Sequence, residues 1–263
     1  MYQDDAILAV DIGNTNIVCG IYREGKLSWF ARFFSSRHRT ADEYYSLLMP
    51  LLNDAGKQDV ARIALASVVP ELTRIWQHLA MKYFDQEALE ISARSDLGLS
   101  YKVADPSFIG ADLVINAFGA WKKYCSSCII IDLGTATTIQ FVTSQGCFEG
   151  AVIAPGIKTG ASQLFEQAAL LSEIEITAPH NLLGTNTRDA LLSGIVQGHA
   201  FMLESYIQRL KLLYFDHQNI KTIITGGIAD LLKPLVPSID LVDKTLTLDG
   251  LFLAQQHLCQ RIE

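Results

Sequence analysis

Ile7-Leu8-Ala9-Val10-Asp11-Ile12-Gly13-Asn14-Thr15-Asn16 and, far along the chain, Ile129-Ile130-Ile131-Asp132-Leu133-Gly134-Thr135 are two forms of one pattern. In each, a short apolar run leads into a polar turn that contains Gly, which reads as a buried strand entering a hairpin. An Asp at the end of such a strand, followed by Gly and Thr, suits phosphate and cation chemistry. Gly lets backbone approach closely, N–H and hydroxyl groups face phosphate oxygens, and the carboxylate holds a cation or its waters. Asp and Gly are also ordinary turn residues, and Gly13–Asn16 can equally be read as a type I′ hairpin. Recurrence of the pattern, each time after a strand, suggests two similar domains that grip one nucleotide in the cleft between them.

Composition narrows the class. The chain has 263 residues, 49% of them hydrophobic, and a formal net charge of −7. That is ample core for one large or two medium domains. No Lys/Arg run forms a stripe, so nucleic acid is not the expected partner. The acidic start Met1-Tyr2-Gln3-Asp4-Asp5 and the short apolar run after it do not read as a secretory signal, and no apolar stretch reaches membrane-spanning length. The expectation is a cytoplasmic protein. Five cysteines, an odd number, suit a reducing compartment. Cys125-Ser126-Ser127-Cys128 is a C-x-x-C, but it follows a helical segment and precedes a strand, the reverse of the redox arrangement, and lacks two further ligands for zinc.

Periodicity repeats in two rounds. Ile7–Val10, Ile17–Tyr22 and Leu27–Phe33 predict a three-stranded meander with a turn at Glu24-Gly25. Thr40-Ala41-Asp42-Glu43 is a capping box, and the helix it opens carries Tyr44, Leu47, Leu48, Leu51 and Leu52 at core-facing spacing. A strand at Ile63–Val69, a helix after Pro70 and a short strand at Leu89–Ile91 follow. Pro106 is expected to open a helix through Trp121. The second round has strands at Ile129–Asp132, Thr137–Val142 and Phe148–Ile153, and helices around Gly160–Leu171 and Thr187–Tyr214. It closes with strands at Thr222–Thr225 and Ile239–Val242 and a helix at Leu248–Leu258. This is a duplication of topology. The expected division is residues 1–118 and 119–263, each with a mixed five-stranded sheet and helices.

Two such halves resemble the actin-like, sugar-kinase and chaperone ATPase superfamily, whose domains are ribonuclease H-like. There the first corner handles the transferred phosphate and Mg²⁺, the second meets the other side of the phosphates, and a Gly-Gly turn lies near adenosine, as Thr225-Gly226-Gly227 would here. The match narrows to the type III pantothenate kinases. It rests on Asp11–Asn16, Arg39–Tyr44, Ser67-Val68-Val69-Pro70, Gly110-Ala111-Asp112, Asp132–Thr138, Ala154-Pro155-Gly156, Thr225-Gly226-Gly227 and Leu246–Leu251, in order along nearly the whole chain. That family phosphorylates pantothenate from ATP, the first step of coenzyme A synthesis. It is dimeric and uses Mg²⁺ with a monovalent cation, K⁺ or NH₄⁺.

The resemblance assigns roles residue by residue. Asp11 organises Mg²⁺ through water, and Ile12, Gly13, Asn14, Thr15 and Asn16 cradle phosphate oxygens. Gly134 and Thr135 contact ATP from the second corner, with Gly226 and Gly227 beyond them. Asp132 is the monovalent-cation ligand. Gly110, Ala111, Asp112, Leu113 and Thr187 line the substrate, with Asp112 as general base. Asp112 also reads as a helix N-terminal Asp favoured by the dipole, and Thr187 as an N-cap of the long helix.

Three positions depart from the family pattern. Leu113 stands where Arg usually holds the substrate carboxylate, Val103 where a Tyr is common, and Gln140 where Asp is frequent. Loss of the Arg leaves open a kinase for another small hydroxylated carboxylate or sugar, and Leu113→Arg is expected to lower the KM for pantothenate. A nucleotide-binding regulatory protein without turnover is a further alternative, against which the presence of Asp11, Asp112 and Asp132 argues.

Overall fold

The strands β1 (Ala6–Ile12), β2 (Asn16–Arg23) and β3 (Lys26–Phe34) form the first meander in the computed structural model. They are followed by α1 (Ala41–Asp54), β4 (Val60–Ser67), α2 (Pro70–Phe84), β5 (Leu89–Glu90), β6 (Ser100–Tyr101) and α3 (Ala111–Tyr124). The second meander is β7 (Cys128–Leu133), β8 (Ala136–Val142) and β9 (Cys147–Pro155), continued by α4 (Ile157–Gln167), α5 (Thr187–Leu192) and α6 (Gly198–Leu213). The chain ends with β10 (Lys221–Gly226), α7 (Ala229–Leu232), β11 (Leu241–Val242) and α8 (Leu246–Cys259). The described residues are 6–54, 60–168, 171–216 and 219–260.

Two compact units share these elements. The first takes residues 1–99, 103–123 and 245–263, and the second 100–102 and 124–244. A single cut after residue 118 therefore misplaces α8, which returns to the first unit. Its anchors explain why. Gly119 on α3 and Gly250 on α8 face each other so closely that a Cβ on Gly119 would lie 2.9 Å from the Gly250 Cα. Asp249 accepts hydrogen bonds from Tyr22 Oη and from Thr245 Oγ1 (2.8 Å), and pairs with Lys123 Nζ at 2.5 Å. Tyr22 stacks on Phe252 with ring centroids 4.5 Å apart. The Leu246–Leu251 motif thus holds α8 across β1, β2 and β4.

In the first unit the sheet order is β3-β2-β1-β4-β5. β1 runs antiparallel to β2 and parallel to β4, and is buried almost throughout, as a continuous apolar run predicts. Leu8, Val10 and Ile12 meet Tyr44, Leu48 and Leu52 of α1 and Leu72, Trp76 and Leu79 of α2. Leu47 and Leu51 do not join them. They are 39% and 43% exposed, because the buried stripe of α1 follows i, i+4, i+8 from Tyr44 and leaves the i+3 row outside. The capping box forms as read: Glu43 N–H donates to Thr40 Oγ1 (3.3 Å) and Thr40 N–H to Glu43 Oε2 (2.7 Å). Glu24 and Gly25 both take positive φ, 49° and 75°, which a two-residue hairpin of type I′ demands.

In the second unit the order is β11-β10-β7-β8-β9-β6. Its first five strands repeat the plan of the other sheet, with β7 in the place of β1. The sixth strand, β6, is absent from the sequence reading: a two-residue strand carries no periodicity, and pairing with Cys147 and Phe148 of β9 alone creates it. Ile129, Ile131 and Leu133 pack with Ile139 and Phe141 of β8 and with Ala200, Leu203 and Ile207 of α6.

Three helix expectations change. Pro106 opens only a 3₁₀ turn, Pro106–Phe108, capped by Asp105, and α3 starts at Ala111 after an extended Ile109. α4 begins at Ile157 and ends at Gln167. The long helix from Thr187 is interrupted by a π-helical segment, Ser193–Gln197, which side-chain periodicity does not reveal. Among the described residues no helix is long and apolar enough to cross a membrane.

Candidate active site

The first corner is built from the end of β1. Asp11 pairs with Val18 of β2 and Ile12 with Ile17, leaving Gly13–Asn16 as the turn. Gly13 N–H donates to Asn16 O at 2.9 Å. No residue of the turn has a positive φ, so it is not the type I′ hairpin that its sequence allows. Tertiary hydrogen bonds fix it instead. Ser35 N–H donates to Thr15 O (2.9 Å) and Ser35 Oγ to Gly13 O (2.6 Å). Tyr44 of α1 steadies this strap, since its hydroxyl accepts from Ser36 N–H and donates to Ser36 O. Asp11 is half-buried, while Asn14 and Thr15 are exposed at the tip.

Asp112 belongs to the same unit and lies in the first turn of α3. Its carboxylate folds back over Gly110, where a Cβ would overlap Oδ1, and accepts from Leu113 N–H at 2.9 Å. Burial raises its pKa above the ordinary carboxylate value, and the backbone hydrogen bonds offset part of that rise. Val68 joins Asp112 to the first corner. Its N–H donates to Ile12 O (3.0 Å), and its Cγ1 lies 3.5 Å from where a Cβ on Gly110 would be. Asp11, Gly13–Asn16 and Gly110–Asp112 thus gather around the end of β4. Of these links, Ser35 carries no signal in the sequence; Val68 stands in the quoted Ser67–Pro70 motif.

Leu113 is only 7% exposed. The position that carries Arg in the family pattern points into the packed side of α3 here. Leu113→Arg would therefore bury a guanidinium, a desolvation cost that opposes the expected gain in pantothenate affinity.

The second corner repeats the first in the other unit. Asp132 pairs with Thr138 of β8 and with Thr225 of β10. Gly134 N–H donates to Ala136 O at 3.0 Å, and Gly156 N–H to Thr135 O at 3.1 Å, the counterpart of the Ser35 bond. Thr159 Oγ1 donates to the same carbonyl at 2.7 Å. Gly226 has φ +96°, and a Cβ there would meet Leu133 O and N at 2.5 and 2.6 Å. That accounts for Gly at the first position of the Gly226-Gly227 turn. Gly134 and Thr135 are exposed, and Asp132 is half-buried. Behind this corner, Thr137 Oγ1 lies 2.9 Å from His199 Nε2, and burial lowers the pKa of His199.

Thr187 is the first residue of α5, not its cap; Asn186 caps it by accepting from Asp189 N–H at 2.9 Å. Thr187 lines an open cavity of about 670 Å³ with Leu164, Thr185, Leu191, Gly194 and Ile195. Gln140, another of the three departures, is 1% exposed, and its side-chain amide has no hydrogen-bond partner.

Among the described residues no three His, Cys, Asp or Glu gather into a metal cage. A single half-buried carboxylate beside an exposed turn nonetheless fits Mg²⁺, which keeps several waters and takes one or two carboxylates together with substrate phosphates. Cys125 and Cys128 are not joined in a disulfide, and burial pushes Cys128 up to about 11, so it is not a poised nucleophile.

Solved structures share this architecture. A protein described as a Baf family transcriptional activator from Campylobacter jejuni matches with TM-score 0.58 and 17% identity over 96% of this chain and 99% of that one. One described as a 2-dehydro-3-deoxygalactonokinase from Sinorhizobium meliloti gives 0.59 and 14% over 95% and 96%. The activator of 2-hydroxyisocaproyl-CoA dehydratase from Clostridium difficile, with bound ADPNP, gives 0.56 and 13% over 98% and 97%. At these identities the likeness shows the fold, that of the actin-like ATPases and sugar kinases. The sequence model of type III pantothenate kinase matches residues 7–209. With most of its length matched, both corners in place and a half-buried carboxylate beside the first, the chain belongs to the type III pantothenate kinase family and is a phosphotransferase.

Proposed function

We propose that this protein transfers the γ-phosphoryl group of ATP to the primary hydroxyl of pantothenate, giving 4′-phosphopantothenate and ADP, the first step of coenzyme A synthesis. The observation that carries the reading is Asp112: a carboxylate with a raised pKa, held in place by the absence of a side chain at Gly110. A base of that kind accepts the hydroxyl proton as the oxygen attacks phosphorus. The remaining work is positioning and charge neutralisation. Backbone N–H groups and hydroxyls of Gly13–Asn16 and of Gly134-Thr135 hold phosphate oxygens, with Gly226 and Gly227 beside the nucleoside. Asp11 holds the waters of Mg²⁺. Bound Mg²⁺ supplies charge neutralisation on the phosphates. Asp132, at the equivalent place on β7, holds K⁺ or NH₄⁺. Thr187 contacts the acceptor, and the working form is a homodimer in the cytoplasm.

A second reading, a kinase for a different small hydroxylated acceptor, is favoured by one observation. Leu113 is buried and uncharged, so the acceptor carboxylate loses the partner it would have in the family pattern. One experiment separates the two. ADP release is followed with pantothenate, its neutral alcohol analogue, other small hydroxy acids and simple sugars as acceptors. The proposal expects the highest kcat/KM with pantothenate; a higher value with another acceptor replaces it with the second reading.

A further inference from the structure

We propose that Lys158 is a nucleotide-phosphate ligand, supplying the positive side chain that the second corner lacks. Asp132, Gly134, Thr135, Gly226 and Gly227 of the second unit include no Lys or Arg. A polyphosphate held by this corner alone meets the carboxylate of Asp132 and no protein cation, whereas phosphoryl transfer calls for positive charge around the transferred group. Lys158 is placed to meet that need. It sits between Gly156, whose N–H donates to Thr135 O at 3.1 Å, and Thr159, whose Oγ1 donates to the same carbonyl at 2.7 Å. A Cβ on Gly156 would lie 2.5 Å from Thr135 O, so the backbone carrying Lys158 is pressed against the exposed tip of the corner.

Lys158 is exposed, and among the described residues no carboxylate pairs with it. Three other lysines of the same unit are engaged within the protein: Lys102 with Glu149, Lys244 with Asp230, and Lys233 with Ile239 O. Helix stability does not account for Lys158 either, because a cation in the first turn of α4 opposes the helix dipole. An ammonium on a flexible four-carbon stem suits a phosphate oxygen.

This inference rests on the phosphate role of the second corner, and the test keeps the two apart. Binding of a non-hydrolysable ATP analogue with Mg²⁺ is measured by calorimetry without acceptor, for wild type, Lys158→Met, Lys158→Arg and Thr135→Val. Lys158→Met is expected to weaken binding about tenfold and to flatten its dependence on salt. Lys158→Arg is expected to retain it. In steady state the KM for ATP should rise in Lys158→Met while the KM for the acceptor stays unchanged, a split that a merely structural lysine would not produce. Wild-type affinity in Lys158→Met overturns the proposal, as does equal loss in Lys158→Met and Lys158→Arg. Wild-type affinity in Thr135→Val with a loss in Lys158→Met would instead overturn the Thr135 assignment and leave Lys158 standing.

Discussion

Replacing Asp112 with Asn separates catalysis from folding in one variant. The carboxylate rests over Gly110 and accepts from Leu113 N–H through Oδ1. An Asn side chain fills the same volume and can present its carbonyl oxygen to that N–H. Burial raises the pKa of Asp112, so the folded state disfavours the ionised form relative to the unfolded chain. For a carboxyl raised in this way, stability is greatest at pH below the unfolded value and declines as pH climbs through the raised folded value. At pH 8 the wild type carries that cost and Asp112→Asn does not. The variant should therefore melt no lower than wild type at pH 8, and the difference should shrink toward acid. Activity should move the other way. Loss of a positioned base costs about 10²–10⁴-fold in kcat, or about 2.7–5.4 kcal/mol of barrier, while ATP still binds. In the wild type, kcat/KM should fall as pH drops through the raised pKa, placing the acid limb above the ordinary Asp value of about 3.9. The assays are thermal melting across pH, calorimetric ATP binding and coupled ADP release. A folded Asp112→Asn enzyme with near wild-type turnover would refute the base, and a variant that melts well below wild type at pH 8 would refute the buried-carboxylate reasoning.

Further outcomes follow from other residues. Turnover in Na⁺ alone should be far below that in K⁺ or NH₄⁺ at equal ionic strength, and Asp132→Asn should erase the difference; equal rates in all three salts for the wild type would remove Asp132 as a cation ligand. Leu113→Arg should lower stability by about 3 kcal/mol or more, because it places an unpaired charge at a buried position; denaturant unfolding checks this, and a wild-type midpoint would mean that the side chain escapes to solvent. Gly226→Ala should cost about 1–3 kcal/mol, since it combines a φ of +96° with a clash against Leu133, and it should weaken nucleotide binding; wild-type melting and binding would show that β10 can shift away from β7.

Much of the fold was legible because its signals are local. Capping at Thr40 and Glu43, the Glu24-Gly25 turn and the apolar runs of β1 and β7 each depend on a few neighbouring residues, and each forms where the residues place it. Signals that depend on a partner element were weaker. β6 exists only because β9 pairs with it. The Pro106 turn stops at Phe108, where an extended Ile109 breaks the helical run. Leu47 and Leu51 fit the spacing of a core stripe yet face outward, because α2 covers α1 along the Tyr44–Leu48–Leu52 row.

By itself the sequence determined the two Asp-Gly-Thr corners, the repeated strand order and the family, since each is written as a short pattern of residue types at fixed spacing. Tertiary structure alone decided what surrounds those corners. Ser35 and Gly156 close equivalent hydrogen bonds onto the two turns from the ends of β3 and β9. Val68 links Asp112 to Ile12, Leu113 turns inward, and α8 returns to the first unit. The physical reason is one of range. A turn or a cap is fixed by atoms within a few residues of each other, whereas burial, pKa and side-chain direction are set by groups that only the folded chain brings within a few ångströms.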